Sequence, residues 1–187
     1  MKFIYIFRRR ENLVEKYYLE KPQKSDEEAV KLLIAKWRVF GGRMNPGLLR
    51  CFNGNYLEWL QYIRDCSNGI NIGKEVPQTL FFLKDSKGTI LGVVSLRHYL
   101  NQTNIVDGGH IGYGICPEYR GKKYGNLILK LALKELLAME ISKVLVTCDS
   151  DNIASQKVIL HNDGVLENQT YDEDGIAINR YWINNVE

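Results

Sequence analysis

Apolar and polar positions change period several times along this 187-residue chain, and the changes mark out its elements. Lys2 to Phe7 alternates and predicts a strand. Glu11 to Leu19 reads as a short helix. Ser25-x-x-Glu28 has the form of a capping box opening a longer helix through Ala29, Leu32, Leu33 and Trp37, which Gly41-Gly42 and Asn45-Pro46-Gly47 break. A further helix is expected from about Tyr56 to Cys66, with Leu57, Leu60 and Ile63 on one face, and Asn68 to Val76 reads as a loop. Thr79 to Lys84 and Thr89 to Tyr99 flank the turn Asp85-Ser86-Lys87-Gly88 and predict a hairpin, with another strand from His110 to Cys116. Leu127, Leu131, Leu133 and Leu137, with Ile128 and Leu136, give 123–139 an apolar stripe at helical spacing. Lys143 to Cys148 reads as a buried strand. Asp149-Ser150-Asp151-Asn152 then caps a helix ending near Asn162, and Asp172-Glu173-Asp174-Gly175 turns a last hairpin between Val165–Tyr171 and Ala177–Ile183.

The stretch IGYGICPEYRGKKYGN, Ile111 to Asn126, carries the chemistry. Unpaired N–H groups at a helix start point outward, and the macrodipole adds partial positive charge there. Glycines let a ligand approach the main chain, and Arg120, Lys122 and Lys123 add full charges. Together these suit a pyrophosphate cradle. The same residues also suit an ordinary strand-to-helix turn with a solvated basic rim.

Composition narrows the choice of partner. The chain, 45% hydrophobic and 25% charged, is long enough for one compact domain over 1–187 with a substantial core. A net charge of +3 is too small to argue for a nucleic-acid partner, and Arg8-Arg9-Arg10 reads as a solvated strand end. No apolar run approaches the ~20 residues that cross a bilayer, and Met1-Lys2 leads into a strand, so neither a membrane span nor a signal peptide is expected. Cys51, Cys66, Cys116 and Cys148 are dispersed without a C-x-x-C pair. Neither a zinc site nor a disulfide framework is indicated, and reduced thiols in the cytoplasm are the plain expectation.

The order strand, phosphate turn, helix, strand, Asn-capped helix, Gly-hydrophobe, hairpin resembles the GNAT superfamily of acyl-CoA-dependent N-acyltransferases. Its signature turn, Arg/Gln-x-x-Gly-x-Gly/Ala, is answered by Arg120-Gly121-Lys122-Lys123-Tyr124-Gly125, with Lys123 standing where the family usually has its first glycine. Val93 to Asn101, Gly108 to Tyr113, Thr147-Cys148-Asp149, Asp151 to Ser155 and Arg180 to Ile183 are similar to a bacterial branch of that superfamily, so the match covers about residues 76–184. The resemblance implies an α+β fold with a mixed, mostly antiparallel twisted sheet of about seven strands flanked by helices. It implies acetyl-CoA as co-substrate without a metal, and acetyl transfer to a small-molecule or peptide amine by direct attack. Main-chain groups around Tyr113 to Cys116, with Gly114, Ile115 and Cys116 as the binding residues, would lie along the pantetheine arm, which adds like a strand. Arg120, Gly121, Lys122, Lys123, Tyr124, Gly125 and Asn126 would hold the diphosphate, with Asn152 and Ser155 on the second helix touching the arm.

For catalysis an attacking amine must lose a proton. His110, where many members carry a Glu, is the first candidate base, and a neutral imidazole of pKa ~6.5 suits that task; His98 is second. The family tyrosine that meets the departing thiolate, seven residues past the asparagine, is Ile159 here. Tyr124 and Ser155, with Tyr119, are the candidate substitutes. Cys116 and Cys148 read as buried, inert thiols. A non-catalytic acyl-CoA-binding module stays open as the alternative. So does a homodimer formed through the last hairpin.

Overall fold

The structure, a computed structural model, describes residues 4–6 and 16–186. Among these residues there are eight strands in two antiparallel sheets. β1 (Ile4–Ile6), β2 (Lys16–Glu20), β3 (Gln78–Lys84), β4 (Ile90–Arg97) and β5 (Ile111–Ile115) form the first in chain order. β6 (Lys143–Asp149), β7 (Val165–Tyr171) and β8 (Ala177–Asn184) form the second, in the order β6-β8-β7. The helices are α1 (Glu27–Phe40), α2 (Gly47–Arg50), α3 (Tyr56–Asn68), α4 (Tyr124–Ala138) and α5 (Ile153–His161).

The larger sheet is buried on both faces, so its central strands are apolar almost throughout. Phe81 and Leu83 of β3, with Leu91, Val94 and Leu96 of β4, turn to Ile128, Leu129, Ala132 and Leu136 of α4. Their neighbours Leu80, Phe82, Ile90 and Val93 turn the other way, against Val30, Ile34 and Trp37 of α1 and Trp59, Leu60 and Ile63 of α3. Trp59 and Tyr56 are core aromatics with satisfied polar ends. The indole N–H of Trp59 donates to the Leu48 carbonyl at 2.9 Å, and the Tyr56 hydroxyl donates to the Gln23 carbonyl.

Three sequence expectations change. Lys16 to Glu20 is not the end of a helix but a strand, paired with β1 and with β3; residues 11–15 lie outside the described set, as do 2, 3 and 7 of the expected first strand. The main chain of Lys16–Glu20 pairs with β3 while Tyr17 and Leu19 join the cluster that contains α4, which outweighs a helical propensity too short to nucleate alone. The capping box is shifted two residues: Asp26, not Glu28, accepts the N–H of Gln23 at 2.8 Å, and a 3₁₀ turn over Lys24–Asp26 precedes α1. On α3, Leu57 is 56% exposed, because Tyr56 and Trp59 take the inward stripe with Leu60 and Ile63.

One buried charge cluster ties the edge of the sheet to α1. Lys84, on β3, lies 2.6 Å from Asp26 and 3.1 Å from Glu20. Burial pulls its pKa down, but the hydrogen bonds it donates to both carboxylates outweigh this and the net shift is upward.

Candidate active site

The two sheets meet at one residue. The His110 N–H donates to the Leu145 carbonyl at 2.8 Å, and the Leu145 N–H donates to Nδ1 of His110 at 2.9 Å. Beyond that latch no ladder hydrogen bond joins β5 to β6 among the described residues: β5 pairs with β4, and β6 with β8. A gap opens between them.

The phase of the β4–β5 ladder decides which main-chain groups face the gap. The Arg97 N–H donates to His110 O at 2.8 Å and the Cys116 N–H to Leu91 O at 3.0 Å. Paired residues alternate along an antiparallel ladder, so Gly112, Gly114 and Cys116 turn their N–H and C=O to β4. Ile111, Tyr113 and Ile115 turn theirs to the gap. Among the expected arm-binding residues, Ile115 therefore presents its main chain there, while Gly114 and Cys116 do not. Arg120 Nε already donates to the Ile115 carbonyl at 3.2 Å.

The glycines of β5 answer to the opposite face. A Cβ at Gly114 would lie 2.6 Å from the Asn45 carbonyl oxygen and 2.7 Å from the Trp37 ring. The chain before α2 and the end of α1 thus rest directly on the strand. The Arg120 guanidinium continues this contact, 5.5 Å from the Trp37 ring centre and 5.4 Å from that of Phe40.

At the far end of the gap lies the basic turn. Gly121 has φ +75° and Lys123 φ +64°, and the left-handed bend at Lys123 throws the chain into α4. That conformation explains why a glycine is favoured there. No side chain caps the first turn of α4, which leaves its amides facing outward beside the exposed Arg120, Lys122 and Lys123. The same helix start borders a groove of about 680 Å³ lined by Lys122, Lys123, Tyr124, Asn126, Lys130 and His161, among others. Gly125 serves packing as well: a Cβ there would stand 2.9 Å from Cγ2 of Val158 on α5.

The second helix brings Asn152 and Ser155 to the gap. Asn152 Oδ1 accepts the Ser155 N–H at 3.0 Å, so the asparagine is an N-cap. Ser155 Oγ lies 3.0 Å from the hydroxyl of Tyr113. Burial pushes the Tyr113 hydroxyl up to about 12, against a downward pull from Ser155, and burial likewise raises the Cys148 thiol to about 11. Tyr124 is turned elsewhere, packing edge-on against Tyr17 at 5.6 Å and Tyr119 at 6.4 Å between ring centres. Tyr113 is thus the tyrosine that meets Ser155, a pairing no local motif announces; the ladder phase and the alternation of β5 are the signals that could have found it.

His110 is 6% exposed, and burial, with Arg97 nearby, drives its pKa down to about 4. Because Nδ1 accepts from Leu145, the neutral ring carries its proton on Nε2 and has no second lone pair free. As placed, the ring ties the start of β5 to β6. His98 is engaged too, with Nε2 2.8 Å from Thr79 Oγ1. Cys116 is buried, its thiol pushed up to about 12 by burial and set 3.5 Å from the Ile90 carbonyl.

The family model of the acetyltransferase (GNAT) domain matches residues 3–164. No curated protein matches the chain at a significant level. Among solved structures, a ribosomal-protein-S5-alanine acetyltransferase from Vibrio fischeri superposes with TM-score 0.67 at 16% identity, covering 98% of this chain and 97% of that one. A ribosomal L7/L12 alpha-N-protein acetyltransferase in complex with coenzyme A gives 0.64 at 16% identity, over 90% and 93%. Mutant forms of the spermidine/spermine N-acetyltransferase SpeG from Vibrio cholerae give 0.62 at 14% identity, over 90% and 94%. At such identities the structural likeness is one of fold. Latched sheet, open gap and uncapped helix start agree with the family match, and the chain belongs to the acetyltransferase (GNAT) family.

Proposed function

We propose that the protein transfers an acetyl group from acetyl-CoA to a primary amine by direct attack, with no covalent enzyme intermediate. One observation supports this reading: among the described residues, main-chain groups of β5 without a ladder partner line a gap that starts at the His110–Leu145 latch, and an uncapped helix start follows the turn after β5. The pantetheine arm fits as an added strand along Tyr113 and Ile115, and an N–H of β5 would polarise the thioester carbonyl. To admit the arm fully, Arg120 must leave the Ile115 carbonyl, which frees its guanidinium for the diphosphate. The amides of Tyr124, Gly125 and Asn126 and the ammonium groups of Lys122 and Lys123 support the diphosphate.

His110 fixes the apex of the gap, and the amine's surplus proton passes to water. A primary amine as acceptor agrees with the polyamine and ribosomal-protein acetyltransferases that share the fold. The competing reading is a non-catalytic acyl-CoA-binding module. Ile159 favours it, being wholly buried at the position where the family tyrosine would stand. Thiol release from acetyl-CoA across a panel of polyamines, aminoglycosides and peptides, run beside calorimetry with coenzyme A, separates the two. Turnover on any amine supports transfer, binding without turnover supports the module, and no binding removes both.

A further inference from the structure

Tyr113 and Cys148 occupy matching places on the two arms of the gap. Tyr113 is three residues beyond His110 on β5, and Cys148 is three beyond Leu145 on β6, so each lies roughly 10 Å from the latch. Both side chains turn to the α4 face, where they join the same apolar cluster. The Tyr113 ring reaches from its own strand to Ser155 on the first turn of α5, bringing the two hydroxyls to 3.0 Å. Oη, Oγ and the Cys148 sulfur come together there. The apolar cluster that Tyr113 and Cys148 join includes Ile115, Leu127, Val146 and Ile159.

An apolar pocket of this kind strongly disfavours an isolated anion. On the acetyl-transfer reading, breaking the thioester leaves a sulfur anion in the gap. We infer that the Tyr113 hydroxyl, oriented by Ser155, receives the departing sulfur through a hydrogen bond and so stabilises it as thiolate. The inference rests on the acetyl-transfer reading and adds a catalytic residue to it. In the step, the amine nitrogen forms its bond to the acetyl carbon, the carbon–sulfur bond breaks, and its electron pair stays on sulfur. The amine's surplus proton goes to water. Tyr113 keeps its own proton throughout. A hydroxyl pushed up to about 12 is a weaker acid than a thiol near ~8.5, so it shares the proton with the thiolate without surrendering it. Ser155 accepts from or donates to the tyrosine and holds the hydroxyl over the gap; its N–H is fixed in turn by Asn152.

The test needs no acceptor amine. Coenzyme A carrying ¹³C at the carbon bonded to sulfur is titrated by NMR, free and bound to the full-length protein. In the wild type the bound thiol titrates about one unit below the free thiol, a shift in the range expected for a hydrogen bond to a charged group. Tyr113→Phe keeps the ring and removes the donor; its bound thiol titrates at or above the free value, with coenzyme A affinity changed less than about threefold. Ser155→Ala moves the value in the same direction by a smaller amount, and serves as the test should Tyr113→Phe fail to fold. Superimposable titrations for wild type and both variants overturn the role of Tyr113 while leaving acetyl transfer standing. A wild-type protein that binds no coenzyme A overturns the transfer reading itself.

Discussion

Leu145 sets its main-chain N–H 2.9 Å from Nδ1 of His110, a contact that can exist only while the imidazole is neutral. Protonation would point a ring N–H at the peptide N–H and break the latch. The folded value of about 4 lies below the ordinary ~6.5, so the unfolded chain binds a proton that the native state refuses. Stability is therefore full above about pH 6.5 and is lost as pH falls through that window toward 4, by up to roughly 3 kcal/mol. His110→Asn keeps an acceptor for Leu145 without the titration. Urea unfolding from pH 7 to 4 should show a shallower acid loss for the variant; parallel losses in the two proteins would falsify the latch as its source.

Lys123 holds a left-handed conformation at φ +64°, which costs a side-chain-bearing residue about 1–2 kcal/mol. Lys123→Gly should raise the melting temperature by about 2–4 °C for a chain of this length. The same change removes a charge from the helix start, so coenzyme A affinity should fall as thermal stability rises. Calorimetry and a thermal scan on one preparation read both effects.

Gly125 lets α4 and α5 approach, since an added Cβ would stand 2.9 Å from Val158 Cγ2. Gly125→Ala should destabilise by about 1–3 kcal/mol from overpacking, despite the better helix propensity of alanine. Adding Val158→Ala vacates the clash. The double variant should then be less destabilised than the sum of the two single changes in a double-mutant cycle by denaturant.

Lys84 is 5% exposed in its side chain and faces two carboxylates, Asp26 and Glu20. Lys84→Met leaves both in a poorly solvated place and should cost about 3–5 kcal/mol at pH 7. Lowering the pH toward the carboxylate range should narrow the gap to wild type, as protonation removes the negative charge that faced Lys84. A constant difference between pH 7 and pH 4 would show that lost packing, not charge, is responsible.

Much of this fold is written in local patterns. Asp85, whose side chain accepts from the N–H groups of Lys87 and Thr89, announces the β3–β4 turn, and Asn152 announces α5. The basic turn is equally visible, since its residues are contiguous. The short edge strand at Lys16–Glu20 is not, because its partner residues 82–84 lie more than sixty positions away and decide its conformation. His110 and Tyr113 show the same limit at the site. The sequence presents an imidazole suited to proton transfer, but its use depends on Leu145, thirty-five residues on. The Tyr113 hydroxyl draws no notice until Ser155, forty-two residues on, is beside it. Residue type suggests what a group can do; long-range contacts choose among those uses.

β5 is interior by position yet has one unpaired side, so it combines the burial of a central strand with the accessibility of a rim. Hydrogen–deuterium exchange should expose this split personality along five residues: amides 112 and 114, turned to β4, exchanging slowly, and amides 113 and 115 exchanging fast. A pantetheine arm drawn into that opening would quench the fast pair alone, giving a residue-by-residue footprint of occupancy.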